Sequence, residues 1–406
     1  MKTAPPLAVS FAFALALAFA ASLAPGRSHA ALPPLIPRAV LFGQPADESP
    51  ELSPDGTHLA WCRRGENGIA DVWVRDLATD STRQITHVAR SVGHAGWSPD
   101  GRWLLFLADR NGDENLHLWS VEFASGQERD LTPFADVRVE GVMADRRHPA
   151  ELLVGMNLRD RRAFDLYRIS LESGAVTFDT KNPGDVIAWT TDENFRVRGA
   201  TALRAADAAT VLRVRNDESA PWREIAVWPF AEAGFDRYQR IIRFVDGGRA
   251  LLVQSSIGHD TSALVELDAA SGRERRVLAH DMRCDLWNQL DAQTLMEPML
   301  LFSGTGDTLL AAGVEWQKPE WKVMSPSVAE DFRLLSQLAG GGVFTVESRD
   351  SADRRWIVRL ASDVDPGHFV LWDRSSRTEA PVFAAPAPNS NVLVDFFSPA
   401  AGLSCV

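Results

Sequence analysis

The chain has 406 residues, of which 45% are hydrophobic and 24% charged, the composition of an ordinary globular protein. Its 42 Lys and Arg residues are outnumbered by 54 Asp and Glu residues, which gives a net charge of −12. This excess of negative charge argues against nucleic acid as a partner, because phosphate binding needs a basic face. No block of like charge is long enough to form a polybasic membrane-binding patch.

The first 30 residues have the layout of a secretory signal peptide. Lys2 precedes an apolar segment at 7–23, and the small residues Ser28 and Ala30 form a cleavage site. We expect cleavage after Ala30 and a mature chain that is periplasmic or secreted; a retained N-terminal membrane anchor is the alternative. No later stretch of the sequence is long and apolar enough to predict a membrane span.

From residue 52 onward the sequence repeats a unit of short strands separated by turns. The first unit begins with the turn Ser-Pro-Asp-Gly at 53–56, and the same turn recurs 45 residues later at 98–101. Pro presets φ in such a turn and Gly accepts a positive φ. The apolar run 103–108 is too short for a typical helix, and 116–123 alternates between two faces, so both predict strands.

Five later units keep this order of strands and turns while their sequences diverge. Their strands are expected at 152–154 and 165–169 in the third, at 186–189, 195–200, 211–214 and 222–228 in the fourth, at 251–253, 263–267 and 276–278 in the fifth, within 286–315 and 321–324 in the sixth, and at 344–348, 356–361 and 369–372 in the seventh. Repeats of about 40 to 50 residues, each an antiparallel four-stranded meander, predict an all-β fold, a β-propeller. We expect seven blades; merging or splitting the fourth and sixth units would give six or eight. The 13 Trp residues are expected to pack between blades.

One short helix is expected between the sixth and seventh units. Ser327 and Glu330 predict a capping box at its start, and glycines at 340–342 end it. Its apolar face is formed by Val328, Phe332, Leu335 and Leu338.

The three cysteines are Cys62, Cys284 and Cys405. An odd number cannot form a complete set of disulfides, and a chain of this size does not need them, so we expect free thiols. Pairing of two of them in an exported protein is the alternative.

Several short passages are spread over most of the mature chain, and their order along the chain is informative. They are the two Ser-Pro-Asp-Gly turns and 36–38, 41–43, 109–118, 129–134, 148–149, 165–168, 255–263, 320–322, 348–350 and 353–354. In this order they resemble the N-terminal propeller of the prolyl-oligopeptidase family of serine peptidases, which includes acylaminoacyl and dipeptidyl peptidases. The resemblance implies a propeller that sits over an α/β-hydrolase domain and restricts entry to peptide substrates.

The hydrolase domain that the resemblance implies is not found in the sequence. Its chemistry would need a Gly-x-Ser-x-Gly nucleophile elbow, followed by an acid and a histidine. No such pentapeptide occurs, and the hydroxyl nearest to the pattern, Ser98, belongs to a turn. We therefore expect a propeller at 31–384, no catalytic residue, and no activity of the chain alone. The tail at 385–406 is expected to be a truncated linker to a missing hydrolase domain.

A different class of function stays open, because Tol-type periplasmic propellers that bind proteins carry the same turns. The two hypotheses differ in their exposed surfaces. A peptidase propeller should present an apolar patch where its hydrolase domain docks, whereas a scaffold should present none.

No residue is predicted to bind a cofactor or a metal. The segment 109–114 superficially resembles a calcium loop, but Gly and Glu are missing from its sixth and twelfth positions. A solvated hairpin turn is expected there. In some members of the resembled family, propeller carboxylates bind the amino terminus of the substrate. The resemblance therefore implies substrate binding as an alternative role for Asp113 and Glu114.

The remaining polar clusters are expected to be structural. The nine histidines show no metal-binding spacing, and His87, His94 and His117 fall within blades. The charged segment 159–162 is expected to be a solvated turn, with a substrate-facing role as the alternative. No glycine-rich phosphate loop follows a strand, so nucleotide binding has no support.

Overall fold

The computed structural model shows a ring of antiparallel sheets. It describes Arg38 and residues 45–383, except 111, 234–238, 291–295, 305, 307 and 363–364. Over these residues the strands form six four-stranded sheets, one three-stranded sheet and one two-stranded sheet, with each strand paired to its neighbour in sequence. The two smaller sheets together occupy the sixth position. The prediction of a seven-bladed all-β propeller is therefore confirmed.

The predicted strands overlap observed strands in every blade. Their bounds are β1 Asp47–Leu52, β2 His58–Arg64, β3 Ala70–Asp76 and β4 Thr82–Gln84 in blade 1; β5 Ala95–Trp97, β6 Trp103–Ala108, β7 His117–Glu122 and β8 Glu128–Asp130 in blade 2; β9 Val139–Ala144, β10 Glu151–Asp160, β11 Ala163–Ser170 and β12 Val176–Thr180 in blade 3; β13 Val186–Thr191, β14 Val197–Arg204, β15 Ala209–Val214 and β16 Arg223–Trp228 in blade 4; β17 Arg240–Val245, β18 Ala250–Ser255, β19 Ala263–Asp268 and β20 Glu274–Ala279 in blade 5; β21 Asn288–Leu290, β22 Met296–Pro298, β23 Leu300–Phe302, β24 Leu309–Glu315 and β25 Pro319–Val323 in blade 6; β26 Val343–Arg349, β27 Arg355–Ser362, β28 Asp365–Asp373 and β29 Thr378–Pro381 in blade 7.

The described part of the ring lies within one unit of the chain, Gln44–Pro386. A second unit comprises Met1–Gly43 and Ala387–Val406, and Arg38 is its one described residue. The expected signal peptide at 1–30 and the expected tail at 385–406 therefore lie outside the described residues, as does Cys405. Among the described residues, no helix is long and apolar enough to cross a membrane.

The Ser-Pro-Asp-Gly sequence forms the turn that joins the first strand of a blade to the second. The Ser98 N–H donates to the Trp103 carbonyl at 2.8 Å, and the Ser98 hydroxyl oxygen accepts from the Trp103 N–H at 2.9 Å. Gly101 closes the turn at φ 72°. Ser53 makes the same pair of bonds to His58 at 2.9 Å each. Ser98 is thus a turn residue, as predicted.

Seven clusters of buried apolar side chains hold the ring together, one between each pair of neighbouring blades. The fully buried residues Trp61, Trp228, Trp356 and Trp372 all belong to them. Since each sheet has two apolar faces, a blade is covered only when both neighbours are present. The expected packing of Trp between blades holds for these four.

The ring closes between blade 7 and blade 1 without exchanging a strand, because β1 to β4 and β26 to β29 each come from one continuous segment. Leu52 and Trp61 pack against Ile357 and Val382. Hydrogen bonds reinforce the contact: the Arg75 guanidinium donates to the Val382 carbonyl at 2.7 Å, among others. Closure therefore depends on side-chain packing and a few polar bonds.

The helix between blades 6 and 7 is present, but its expected capping box is wrong. A 3-10 turn at Pro326–Val328 precedes the helix α2, Ala329–Leu338, and Ser325 caps that turn by accepting from the Ser327 N–H. Proline at the first helical position moves the cap forward. Glu330 instead pairs with Arg333. The expected apolar face is confirmed for Val328, Phe332 and Leu335, which are buried, whereas Leu338 is exposed.

A helix that the sequence did not predict is α1, Phe230–Ala233, between blades 4 and 5. Cys62 and Cys284 are buried free thiols, as expected. Burial is the main reason that the pKa of the Cys62 thiol is raised to about 12.

Candidate functional site

The two faces of the ring carry different loops. We call the side that bears the turns between first and second strands the turn face. The opposite side, which bears the links between second and third strands and the connections from one blade to the next, is the connection face. First strands of neighbouring blades contact one another, β1 with β5 and β26, and β13 with β17, so they line the central axis.

The connection face exposes large apolar side chains on blades 5 and 6. Ile257 lies between β18 and β19, Met282 follows β20, and Trp316 lies between β24 and β25. They are 42%, 86% and 58% exposed. We call these three residues the apolar patch. Phe230, in the connection that precedes blade 5, is also exposed on this face.

Hydrogen bonds join the three loops that carry the apolar patch. The Thr261 hydroxyl donates to the Asp281 carbonyl at 2.6 Å, and the Ser262 N–H donates to the Asp285 carboxylate at 2.6 Å. The Glu315 N–H donates to the Asp285 carbonyl at 3.2 Å. The patch is therefore carried by one interlinked surface rather than by independent loops.

The described chain also enters and leaves the ring at the connection face. A blade of four antiparallel strands ends on the side where it begins. The start of β1 at Asp47 and the end of β29 at Pro381 therefore lie on the same face as the apolar patch.

The turn face contains a cavity of about 570 Å³ at the ends of the first strands of blades 3 to 5. Its wall includes Trp189, Glu193 and Arg243, together with Asp145, Asp192 and Asp246 at the ends of β9, β13 and β17.

The three aspartates of this cavity stabilise their own turns. Asp192 accepts from the Asn194 and Arg196 N–H groups, and Asp145 accepts from Arg147. A hydrogen bond from Arg249, and next in importance one from Arg275, lowers the pKa of Asp246 to about 2. These acids occupy the position that Ser53 and Ser98 hold in blades 1 and 2, which favours a structural role.

Glu51 is an acid of a different kind, on the axial strand β1. Its carboxylate lies 3.7 Å from the His94 imidazole, with the side chain 30% exposed. Burial raises the pKa of Glu51 to about 7. Glu51 therefore changes charge in the physiological pH range.

Replacing Glu51 with glutamine should stabilise the protein at pH 8 and leave its stability unchanged at pH 4. In the folded state the carboxyl titrates near pH 7 rather than at 4.5. The free energy of unfolding is therefore highest below pH 4.5, where the carboxyl is protonated in both states. It falls as the pH rises from 4.5 to 7, and it stays reduced above pH 7. Urea unfolding at several pH values measures the effect. Glu48→Gln is the control, since Glu48 pairs with Arg64 at 3.2 Å and its loss should bring no gain at pH 8. A Glu51→Gln effect of equal size at all pH values would contradict this account.

The described residues of the segment 109–114, which do not include 111, lie in the solvated turn that the sequence predicted. Asp113 and Glu114 are exposed on the connection face of blade 2. Asp113 accepts from the Asn115 side chain at 3.2 Å, and this bond is the first cause that lowers its pKa. Asp109 pairs with Arg90 at 3.2 Å and fixes the base of the turn. A substrate-binding role for Asp113 and Glu114 stays untested.

The segment 159–162 is largely exposed, as predicted. The guanidinium of Arg159 pairs with the fully buried carboxylate of Asp165 at 2.6 and 2.9 Å, so this arginine anchors blade 3. Arg162 pairs with Asp160 at 3.2 Å on the surface. The expected exposure is therefore confirmed, and what the sequence did not predict is the pairing of Arg159 with a buried carboxylate.

The histidines occupy blade positions, as expected. His117 is buried and its Nδ1 lies 2.9 Å from the Asp130 carboxylate, while His87 is exposed. Within the described part of the chain, no group of three or more His, Cys, Asp or Glu residues is placed to hold a metal ion.

The sequence does not indicate which residues form the apolar patch, because all tryptophans, Trp316 among them, are expected to pack between blades. A signal was present: Trp316 stands between Glu315 and the polar residues Gln317 and Lys318, in a turn that ends at Pro319.

Known proteins resemble the chain over most of its length. No protein-family model matches it. Dipeptidyl aminopeptidase BIII of Pseudoxanthomonas mexicana is 32% identical over 386 residues, which cover 93% of this chain and 52% of that protein. The chain is a homologue of this dipeptidyl aminopeptidase. Dipeptidyl peptidase family member 6 of Caenorhabditis elegans is 23% identical over 371 residues, covering 87% of this chain and 47% of that protein.

This chain spans about half the length of the curated relatives that it matches. A crystal structure of puromycin hydrolase aligns with a TM-score of 0.56 at 14% identity, over 86% of this chain and 55% of that one, which shows the fold alone. The seven-bladed ring is consistent with the propeller of prolyl-oligopeptidase-family peptidases. The resemblance recognised in the sequence is confirmed.

Proposed function

We propose that this homologue is the substrate-gating propeller of a dipeptidyl-peptidase-type serine peptidase, and that an α/β-hydrolase part docks on its connection face. The observation that carries the proposal is the apolar patch. Large apolar side chains that are exposed together on one face mark interaction surfaces.

The path of the chain supports the same face. The start of β1 and the end of β29 both lie on the side that bears the patch. A hydrolase part joined to either end would meet the patch without crossing to the turn face. The patch also favours a peptidase propeller over a Tol-type scaffold, for which no such surface is expected.

Peptide hydrolysis by the 406 residues alone is not expected, since they contain no Gly-x-Ser-x-Gly elbow. We expect residues 31–406 to show no turnover of dipeptidyl, aminopeptidase or endopeptidase substrates above a blank. The assay should include Ser98→Ala, because Ser98 is the hydroxyl nearest to the elbow pattern. Turnover that is lost with a single side chain of this chain would overturn the proposal of inactivity.

We further propose that the protein is exported through the signal peptide at 1–30. The apolar segment and the small-residue cleavage site support it. N-terminal sequencing of the protein produced in an exporting host should begin at Ala31. A mature chain that begins at Met1 would contradict export by this route.

A further inference from the structure

Two histidines of blade 5 are in ring contact on the connection face. His259 lies in the loop between β18 and β19, and His280 follows β20. Their ring centroids are 4.6 Å apart, and both residues are partly exposed. Ile257 and Met282, two of the three residues of the apolar patch, each lie two positions along the chain from one of these histidines. The pair therefore borders the surface on which docking is proposed.

Hydrogen bonds fix the position and the tautomer of the His280 ring. The Thr261 hydroxyl donates to the Asp281 carbonyl at 2.6 Å, so it accepts from the His280 Nε2–H at 2.9 Å. Lys322 of blade 6 donates to the His280 carbonyl at 3.0 Å. The neutral ring therefore takes up a further proton at Nδ1, and it does so in place, without losing its bond to Thr261.

The charges around the pair oppose protonation of His280. The Asp281 carboxylate is already paired with Lys322 at 2.9 Å and with Arg283 at 3.0 Å. Burial is the main cause that lowers the pKa of His280, and the nearby His259 and Lys322 lower it further. Asp281 acts in the opposite direction. The remaining ionisable groups of the three linked loops and the adjoining strand ends are Asp260, Cys284, Asp285, Glu315, Lys318 and Glu320. A proton added to the His280 ring therefore joins two cations that already share one carboxylate.

We propose that the His259–His280 pair makes docking on the connection face dependent on pH, with association weakening as the pair takes up protons between about pH 7 and pH 5. A partner that covers Ile257 and Met282 removes water from the neighbouring imidazoles, and this loss of hydration disfavours their charged form. Docking must therefore expel protons from the pair, which costs more as the pH falls. The inference rests on the proposed function and adds a regulation to the same face.

Two measurements on the chain 31–406 test the proposal. In the ring alone, NMR titration of nitrogen-15-labelled histidines follows His280, and His259→Gln should move its midpoint to higher pH, because a neighbouring positive charge is removed. The second measurement is calorimetry with the part of dipeptidyl aminopeptidase BIII that this chain does not match. The dissociation constant should be about fivefold or more higher at pH 5.5 than at pH 7.5, since each expelled proton costs a factor of about ten for each pH unit below the midpoint of the free group.

The double variant His259→Gln and His280→Gln isolates the contribution of the pair. Glutamine is neutral at both pH values and can still donate to Thr261, so this variant should bind like the parent at pH 7.5 and lose most of the pH dependence. His148→Gln is the matched control and should keep the parent's ratio. His148 is also partly exposed and in ring contact, 5.7 Å from Phe195, but it lies after β9 on the turn face.

A double variant that keeps the parent's ratio between the two pH values would overturn the proposal, and so would a His280 midpoint that His259→Gln leaves unchanged. Absence of association at both pH values would contradict the proposed docking, and the pH dependence with it, whereas the titration of the ring alone would be unaffected; the two failures are therefore distinct. If the double variant fails to fold by circular dichroism, His259→Gln replaces it, because it leaves the bond to Thr261 in place. Its ratio should lie between that of the parent and one, and a ratio equal to the parent's would overturn the proposal.

Discussion

Replacing Asp331 with alanine should lower the free energy of unfolding by about 1 to 3 kcal/mol, because the buried Trp372 indole N–H loses its acceptor and Arg374 keeps only Asp353 as a carboxylate partner. The Asp331 carboxylate in α2 is 5% exposed. It accepts from the Trp372 indole N–H and from the Arg374 guanidinium, each at 3.0 Å. Arg374 also lies over the Trp356 ring, in the core between blades 6 and 7. Urea denaturation measures the loss.

Glu330→Ala is the control for this substitution. Glu330 is the next residue toward the N-terminus in the same helix and pairs with the exposed Arg333. An exposed pair of this kind contributes little to stability, so the midpoint of unfolding should hardly move. Equal losses for the two variants would show that Asp331 has no special role in joining the helix to blade 7.

The second large effect concerns docking. The double substitution Met282→Ser and Trp316→Ser should weaken association with a hydrolase part by about tenfold or more, because exposed aromatic and apolar side chains supply most of the binding energy of such surfaces. The partner for the measurement is the part of dipeptidyl aminopeptidase BIII that this chain does not match. Isothermal calorimetry gives the dissociation constants.

Phe178→Ser is the matched control for the docking variant. Phe178 is 56% exposed, close to the exposure of Trp316, but it lies on the outer strand β12 of blade 3. Its replacement removes exposed apolar surface away from the connection face and should leave association unchanged. Equal weakening by Phe178→Ser would show that general surface hydrophobicity, rather than the apolar patch, governs binding.

The ring could be predicted from the sequence because its information is local and repeated. The bonds of Ser53 and Ser98 are made within six residues of each serine, and the strands that follow alternate or run apolar over short lengths. Blade 6 departed from the expected four-stranded sheet, since its first half forms a separate hairpin of β21 and β22. Composition alone does not separate that hairpin from the rest of the blade.

The errors at individual residues have a common physical cause. Trp316 and Trp372 are the same residue type in similar strand-rich surroundings, yet one is exposed and the other is buried against Asp331. Arg159 and Arg162 are both exposed, as predicted, yet only Arg159 pairs with a fully buried carboxylate. Which side of a strand or turn faces a neighbouring blade is decided when the ring closes, and a local pattern does not contain that information.

The candidate functional features depend on the same closure. The raised pKa of Glu51 requires the axial strands to meet, and the bond from Lys322 to the His280 carbonyl joins blade 6 to blade 5. The three residues of the apolar patch lie on loops of two different blades. The sequence indicated that an exposed apolar surface should exist for a peptidase propeller, but its position at Ile257, Met282 and Trp316 emerged from the folded ring.

Hydrogen–deuterium exchange of residues 31–406, with and without the unmatched part of dipeptidyl aminopeptidase BIII, tests the docking face most directly. The account predicts protection of the loops around Ile257, Met282 and Trp316, with the turns at 53–57 and 98–102 unchanged. Protection confined to those turns, or no protection at concentrations well above the measured dissociation constant, would contradict it.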